Sequence, residues 1–481
     1  MVLTHEEIQA VYDLGPQAVV ALVEQLLARI GELSSRVKEL EERLAKDSHN
    51  SSKPPASDSF QPKKTRSLRQ PSGRKPGGQP GHPGNTLRLA AAPDLVVGHR
   101  APGQCQSCGA ALEEDLAVWG DERRQVFDLP ELKLEVVEHR VQSQECPGCH
   151  RVNQGKFPPG VSQSVQYGDR LKALGVYLLE YQLLPYGRVR EFFADVFGAT
   201  ISEGSLHAAV KAGYEGLAPV EEAIKEGIRR AAVAHFDETG MAVAGKLQWL
   251  HVACTAGLTY YGRHEKRGKA ATDKLDILPK FTGRAVHDGW SSYPQYECAH
   301  GLCNAHHLRE LTFIEEECQQ EWAGQLKGLL VEIKEQVEAR KAQGVLQLEE
   351  GRLREFERRY QEVIEAGLLA NPPPEAPPGH RGRKKQSKAK NLLDRLNRQR
   401  EQALAFMYDF RAPFDNNQAE RDLRMMKVQQ KVSGCFRSPE GADYFCRIRG
   451  YISTLRKQGG KALSAIEAVF SGNPSLPTLE G

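Results

Sequence analysis

Three carboxylates sit in settings that could gather them around metal ions. Asp237 interrupts an apolar run, AAVAHFDETGMAV; Asp288 ends another, GRAVHDGWSSYP; Glu420 lies one turn into PFDNNQAERDLRMMKVQQK. Hard oxygen ligands suit Mg2+ (or Mn2+), which keeps several of its waters and so needs few protein ligands. Two such ions can activate an attacking oxygen and stabilise a leaving one, the chemistry of phosphodiester hydrolysis and transesterification. Nearby residues leave alternatives open. Glu238 and Asp422 are acids one or two positions away, and Glu420 with Arg424 has the i, i+4 spacing of an ordinary helix ion pair.

A second kind of chemistry belongs to cysteine. Four of the ten cysteines form two Cys-x-x-Cys pairs, Cys105/Cys108 in CQSCG and Cys146/Cys149 in CPGCH. Four thiolates make the closed tetrahedral site that structural Zn2+ prefers. Between the pairs, residues 121–142 alternate apolar and polar side chains and read as strands. Two knuckles and strands predict a zinc ribbon-like domain, although the 37 residues between the inner cysteines exceed the usual spacing.

The carboxylates need elements to hold them. The run with Asp237 reads as a strand, LQWLHVACTAGLTYYG as an antiparallel pair, KLDILPKF as a helix, and the run ending in Asp288 as a further strand. This is an RNase H-like layout, in which neighbouring strands could bring Asp237 and Asp288 together. Glu420 belongs to a helix capped by Asp415 or Asn416, beside an apolar stripe of Ala419, Leu423 and Met426. Arg421, Arg424 and Lys427 make the same helix basic and are candidate DNA contacts. The 132 residues from Asp288 to Glu420 hold a charged helical pattern and a Pro-rich loop, 371–390, with six Lys/Arg against Glu375. They predict a helical insertion with a DNA-contacting loop that includes Arg383, Lys384 and Lys385.

Upstream, Val23, Ile30, Val37 and Leu44 fall at heptad position a, with Val19, Leu26, Leu33 and Leu40 at d. β-Branched a positions with Leu at d favour a parallel two-stranded coiled coil, hence a homodimer or higher oligomer. Residues 48–90 carry eight Lys/Arg against Asp58 amid Ser, Pro and Gly. Such a segment lacks the apolar surface to fold alone, and its charge suits phosphate contacts; Lys63, Lys64, Arg74 and Lys75 are the candidates. Farther on, RVREFFADVFG, ATIS and EGSLHAAVKAGYEGL read as helix, turn, helix, with Gly198 ending the first and Ser202 capping the second. That pattern is compatible with a helix-turn-helix reader of DNA.

Over 481 residues the net charge is only +3, while 26% of residues are charged, so local charge matters more than the total. No apolar run approaches the ~20 residues of a membrane span, and no secretory signal is visible. The expectation is a cytoplasmic protein with reduced thiols.

HFDETG, VHDGWSSY, LCNAHHLREL and DNNQAERDLRMMKVQQKVSG closely resemble the transposases of the insertion sequence 66 family. The order of parts resembles that family too, although the linker has SSKPPASDS where SSKPPSSD is usual. The resemblance implies that Asp237, Asp288 and Glu420 are a DDE triad on an RNase H-like fold. It implies binding to an element's terminal inverted repeats and transfer of those ends into target DNA, with accessory element-encoded proteins as further partners. A zinc-dependent DNA-binding regulator derived from a transposase is the alternative. Cys303-x-x-His306 looks like the C-x-x-H motif of several DDE superfamilies. His306 is expected to be structural, hydrogen-bonding to a neighbour and fixing the strand that carries Asp288. In the competing reading the pair is half of a second metal site, with Cys298 and His300 the nearest completing residues.

The fold expected is therefore multidomain α+β. A coiled-coil helix (1–46), a basic linker (47–95), a zinc ribbon-like domain (96–160) and a helical DNA-binding segment (161–230) precede the core. The RNase H-like core (231–310 and 401–460) is interrupted by a helical insertion (311–400) and followed by a tail (461–481).

Overall fold

The computed structural model describes residues 4–46, 50–51, 81, 87–100, 102–113, 120, 122–373 and 386–479. It is a mixed α+β structure with two sheets. Helix α1 (His5–Asp13) opens with a capping box between Thr4 and Glu7, and α2 (Pro16–Leu44) follows as one long helix. Its heptad residues Val23, Leu26, Ile30, Leu33, Val37 and Leu40 are 45–57% exposed, so the apolar seam has no cover among the described residues.

Two knuckles come next. Gly109 N–H donates to Cys105 O and His150 N–H to Cys146 O, closing equivalent turns. Gly109 (φ 76°) and His150 (φ 56°) both adopt the left-handed conformation such a turn requires. A two-stranded antiparallel sheet, β1 (Ser143–Glu145) and β2 (Val152–Gln154), flanks the second knuckle. The strands expected over 121–142 do not form: the described residues there are extended but pair with no ladder. Among the described residues their alternation meets no covering surface, and Val126, Leu129, Val136 and Val137 are exposed.

Helices α3 (Asp169–Val176), α4 (Tyr186–Phe197), α5 (Glu203–Gly216) and α6 (Ala218–Arg230) lead to the main sheet. Between α3 and α4 the chain takes a π-helical turn over Tyr177–Tyr181. The α4–α5 pair ends and starts as the sequence indicates: Gly198 is left-handed at the C-cap, and Ser202 accepts from Ser205 N–H.

The main sheet has the order β5-β4-β3-β6-β7. Its strands are β3 (Val233–Val243), β4 (Lys246–Cys254), β5 (Thr259–His264), β6 (Arg284–His287) and β7 (Ala299–Leu302). β4 runs antiparallel to both β3 and β5; β6 runs parallel to β3, and β7 to β6. The helix between β5 and β6, α7 (Lys269–Leu275), starts earlier than KLDILPKF, because Asp276 turns left-handed (φ 59°) and leaves only a 3-10 turn over Leu278–Lys280. Gly283 admits β6 beside β3, since a Cβ there would collide with the Ala231 and Ala232 carbonyls.

After β7 come α8 (Asn304–Cys318), α9 (Glu321–Ala342), α10 (Glu350–Ala370), α11 (Lys388–Arg398) and the short α12 (Arg400–Ala403) and α13 (Ala405–Tyr408). They bury a core of their own, including Leu326, Leu330, Ile333, Phe356, Tyr360 and Leu393. Then α14 (Asn417–Val432), α15 (Pro439–Lys457) and α16 (Ala462–Phe470) return to the sheet. One sheet face, with Ala234, Phe236 and Ala285, packs on α3–α6, α15 and α16. The other, with Met241, Val243, Leu250 and Val252, takes Ala419, Leu423 and Met426 of α14. Among the described residues, no helix is long and apolar enough to cross a membrane.

Candidate active site

Alternation along β3 sorts its polar residues. His235 and Asp237 share the face of Met241 and Val243, under α14, while Glu238 turns to the opposite face. There Glu238 is buried and accepts hydrogen bonds from Arg267 Nε (2.7 Å) and from the Tyr293 hydroxyl. Register then relates the two aspartates. β3 and β6 pair Val233 with Arg284, Ala234 with Ala285 and His235 with Val286. The same offset carried two residues onward sets Asp237 opposite Asp288, just past the end of β6.

Glu420 arrives on α14, whose first turn is tied to the sheet. Asn416 donates through Nδ2 to Phe236 O (2.9 Å), and its Oδ1 lies 2.8 Å from His235 Nδ1. Its backbone N–H donates to Cys303 Sγ (3.1 Å), and Cys303 N–H donates to His287 O (2.9 Å). Asn304 N–H donates to Phe414 O (3.0 Å). These bonds link the ends of β6 and β7 to the start of α14, and so link the residues flanking Asp288 to those flanking Glu420. Of the two expected caps, Asp415 takes the Asn417 amide (3.1 Å), whereas the Asn416 side chain serves β3 instead.

The neighbouring acids are otherwise engaged. Asp422 pairs with Lys457 at 2.7 Å. Among the described ion pairs Glu420 is not matched with Arg424; its Oε1 lies 3.8 Å from Arg309 Nη2 and 3.9 Å from His306 Nδ1. Asp288 accepts the Trp290 amide on Oδ1 (2.9 Å), and its Oδ2 is 4.0 Å from Arg267 Nη2. The Arg267 guanidinium lies over the Trp290 ring, 3.8 Å from its centroid, and is the cation nearest both Glu238 and Asp288.

Burial holds the Asp237 carboxyl well above the usual range, and the charges of Glu238, Asp288 and Glu420 add to this. Burial also raises Glu420, against the pull of Arg309 and Arg424. It raises Glu238 too, against its hydrogen bond from Tyr293. Half-buried acids whose carboxyls are raised by burial and by one another suit cations, because a divalent ion removes the repulsion. The donors fit Mg2+ or Mn2+ in being carboxylate oxygens.

The expected hydrogen bond from His306 is not made. His306 Nδ1 is buried without a partner, as is Glu420 Oε1. The strut to the strand is Cys303, whose thiol burial pushes up to about 12. Burial and Arg309 push His306 down to about 4. Among the described residues, Cys303, His306 and Glu420 are the one group of three metal-binding side chains whose ligand atoms lie within 4.8 Å of one another. Glu420, and neither Cys298 nor His300, is therefore the third member.

The knuckle cysteines are not drawn into one four-thiol cluster. Each knuckle is nonetheless built for a thiolate. Backbone amides of Cys108 and Ser107 lower Cys105, and those of Gly148 and Cys149 lower Cys146. Of the candidate DNA contacts, Arg421, Arg424 and Lys427 are exposed on α14. Lys63, Lys64, Arg74, Lys75, Arg383, Lys384 and Lys385 lie outside the described residues. Sequence reasoning missed Arg267, Arg309 and the tether at Asn416, because no local pattern shows which residues meet across 20 to 180 others.

Comparison with known proteins adds the family. Residues 102–150 match the zinc-finger binding domain of transposase IS66, which supports a structural zinc at the knuckles, and residues 9–88 match a family of unknown function. No curated protein matches the chain. Residues 164–444, more than half the chain and all of the main sheet, match the model described as Transposase IS66 family. With two of its segments matching that family's parts in order, the chain belongs to the IS66 family of transposases.

Proposed function

We propose that the chain is a DDE transposase in which Asp237, Asp288 and Glu420 hold divalent ions that cut the ends of a mobile element and join them to target DNA. The observation that carries this reading is the β3–β6 register, whose offset continued past the end of β6 puts Asp237 opposite Asp288, with α14 packed on the sheet face of Met241 and Val243. The sheet supports an RNase H-like core. Numbered along the chain its strands run 3-2-1-4-5, three antiparallel and two parallel.

Ions bound among the three carboxylates would supply Lewis acidity to the attacking and leaving oxygens of the phosphodiester. The protein's own part is positional. Asn416 and Cys303 fix the helix bearing Glu420 relative to the strands bearing the aspartates. Arg267 steadies Glu238 and the loop after Asp288. Exposed Arg421, Arg424 and Lys427 lie along α14 beyond Glu420, where they would meet DNA phosphates. Cys105, Cys108, Cys146 and Cys149 would close on Zn2+ in a separate end-binding segment, and the seam of α2 would pair two copies. The work is done on DNA in the cytoplasm.

The test is isosteric. Asp237→Asn, Asp288→Asn and Glu420→Gln remove metal-binding charge but little volume. Each should abolish cleavage and joining of labelled element ends while end binding persists. Activity above background in any one of them rejects that residue as a ligand.

A further inference from the structure

Glu420 Oε1 and His306 Nδ1 face each other at 3.9 Å. Both atoms are buried, and neither has a hydrogen-bond partner. The separation is too long for a hydrogen bond, as is the 3.8 Å from Glu420 Oε1 to Arg309 Nη2. Buried polar atoms left unpaired are rare in native structures and call for a ligand, water or ion. Metal bonds to carboxylate oxygen and imidazole nitrogen are each about 2.0–2.1 Å, so two of them span up to about 4.2 Å, enough to bridge this gap. Cys303 Sγ is near but already accepts the Asn416 amide, which makes it a strut and not a ligand.

We propose that His306 Nδ1 directly ligates the divalent ion held by Glu420, and that this nitrogen biases the site toward Mn2+ over Mg2+. The inference rests on the assignment of Glu420 to the metal site. The bias follows from ligand type: imidazole suits transition ions, whereas Mg2+ favours oxygen donors.

The experiment uses full-length protein, zinc retained and Mg2+ dialysed away, titrated with Mn2+ alone and followed by electron paramagnetic resonance, with Mg2+ as competitor. Coordinated imidazole should give nitrogen modulation of the Mn2+ signal that is lost in both His306→Ala and Glu420→Gln. Loss of outer-shell partners weakens metal affinity about 10–100-fold, so loss of this direct ligand in His306→Ala should weaken Mn2+ binding at least about tenfold. His306→Asn supplies an amide oxygen; it should recover binding but lower the preference for Mn2+ over Mg2+. Its metal-free melting temperature should match the wild type, because His306 Nδ1 has no hydrogen bond to lose. A fall in that temperature, with Mn2+ affinity and nitrogen modulation unchanged, would make His306 structural and overturn the proposal. Binding that depends on Glu420 and Asp288 but not on His306 would overturn it while leaving the triad standing. Binding indifferent to Asp237, Asp288 and Glu420, or absent from the wild type, would remove the triad first and this inference with it.

Discussion

Asn416→Ala should uncouple the helix of Glu420 from the strand of Asp237. Asn416 is 1% exposed, and its side chain makes two contacts, to Phe236 O and His235 Nδ1. Truncation leaves both partners buried without a replacement. Each orphaned group costs about 1–3 kcal/mol, so roughly 3 kcal/mol is a middling sum for the two. For a domain of this size that is a drop of ~6–12 °C in melting temperature. The backbone bonds of Asn416 to Cys303 and Glu420 survive, so α14 should still form but shift on the sheet. A misplacement of about 1 Å at the chemistry costs ~100-fold in rate. The assays are thermal unfolding of the metal-free protein and cleavage of labelled ends under single-turnover conditions. Melting within about 2 °C of wild type, together with cleavage within threefold, would refute the tether, because the lost bonds would then have carried nothing.

The pH dependence has an unusual sign. Asp237, Glu238 and Glu420 are raised, so the folded metal-free protein keeps protons that the unfolded chain releases. Their contribution should therefore fall as pH rises from the ordinary carboxylate range through the folded values, while Mn2+ protection grows. Melting with and without Mn2+ across about pH 5–8 checks this; Asp237→Asn should flatten the metal-free slope, and an unchanged slope would reject its cause. Cys146→Ser should lower zinc content from about one ion per chain and weaken end binding with it; no zinc in fully reduced wild-type protein would remove the site. Deleting residues 1–46 should lower the mass measured by light scattering and weaken paired-end complexes more than single-end binding. An unchanged mass would move the interface off α2.

Much of the frame is legible in the sequence because it is written in local periodicity. The apolar runs around Asp237 and Asp288 become β3 and β6 because their composition suits a sheet covered on both faces. Gly198 and Ser202 set the α4–α5 boundary by backbone rules that act within a few residues. The heptads of α2 form one helix whose seam is exposed among the described residues. What local pattern cannot show is which alternation finds a partner. Residues 121–142 alternate as a strand should, yet among the described residues no strand ladder forms there. Nor can it show that Asn416 reaches back to Phe236, that Glu238 turns away from Asp237, or that Glu420 completes the pair Cys303 and His306. Each of those depends on residues more than fifty positions apart, or on which face of the sheet the neighbouring element covers.

The same geometry shows how a large insertion can sit between Asp288 and Glu420, the residues proposed to act together. The chain leaves the sheet after β7 and returns at α14, and the two ends are joined by Asn304 N–H to Phe414 O and Asn416 N–H to Cys303 Sγ. Between them, α8–α13 bury a core of their own that meets the sheet at Leu302 of β7. Closing a longer loop adds only about 0.6 kcal/mol per doubling of its length. The length of the insertion is thus energetically cheap, whereas the clamp at its base is not, because two bonds there set the position of Glu420. Tolerance and sensitivity are therefore divided along the chain. The surface of α9 and α10 is free to vary with its partners, while Cys303, Asn304, Phe414 and Asn416 must keep the base closed. His306 stands one turn from that base, on the side facing Glu420. On the proposed reading, a clamp that holds the two halves of the site in register would also deliver a nitrogen donor to it.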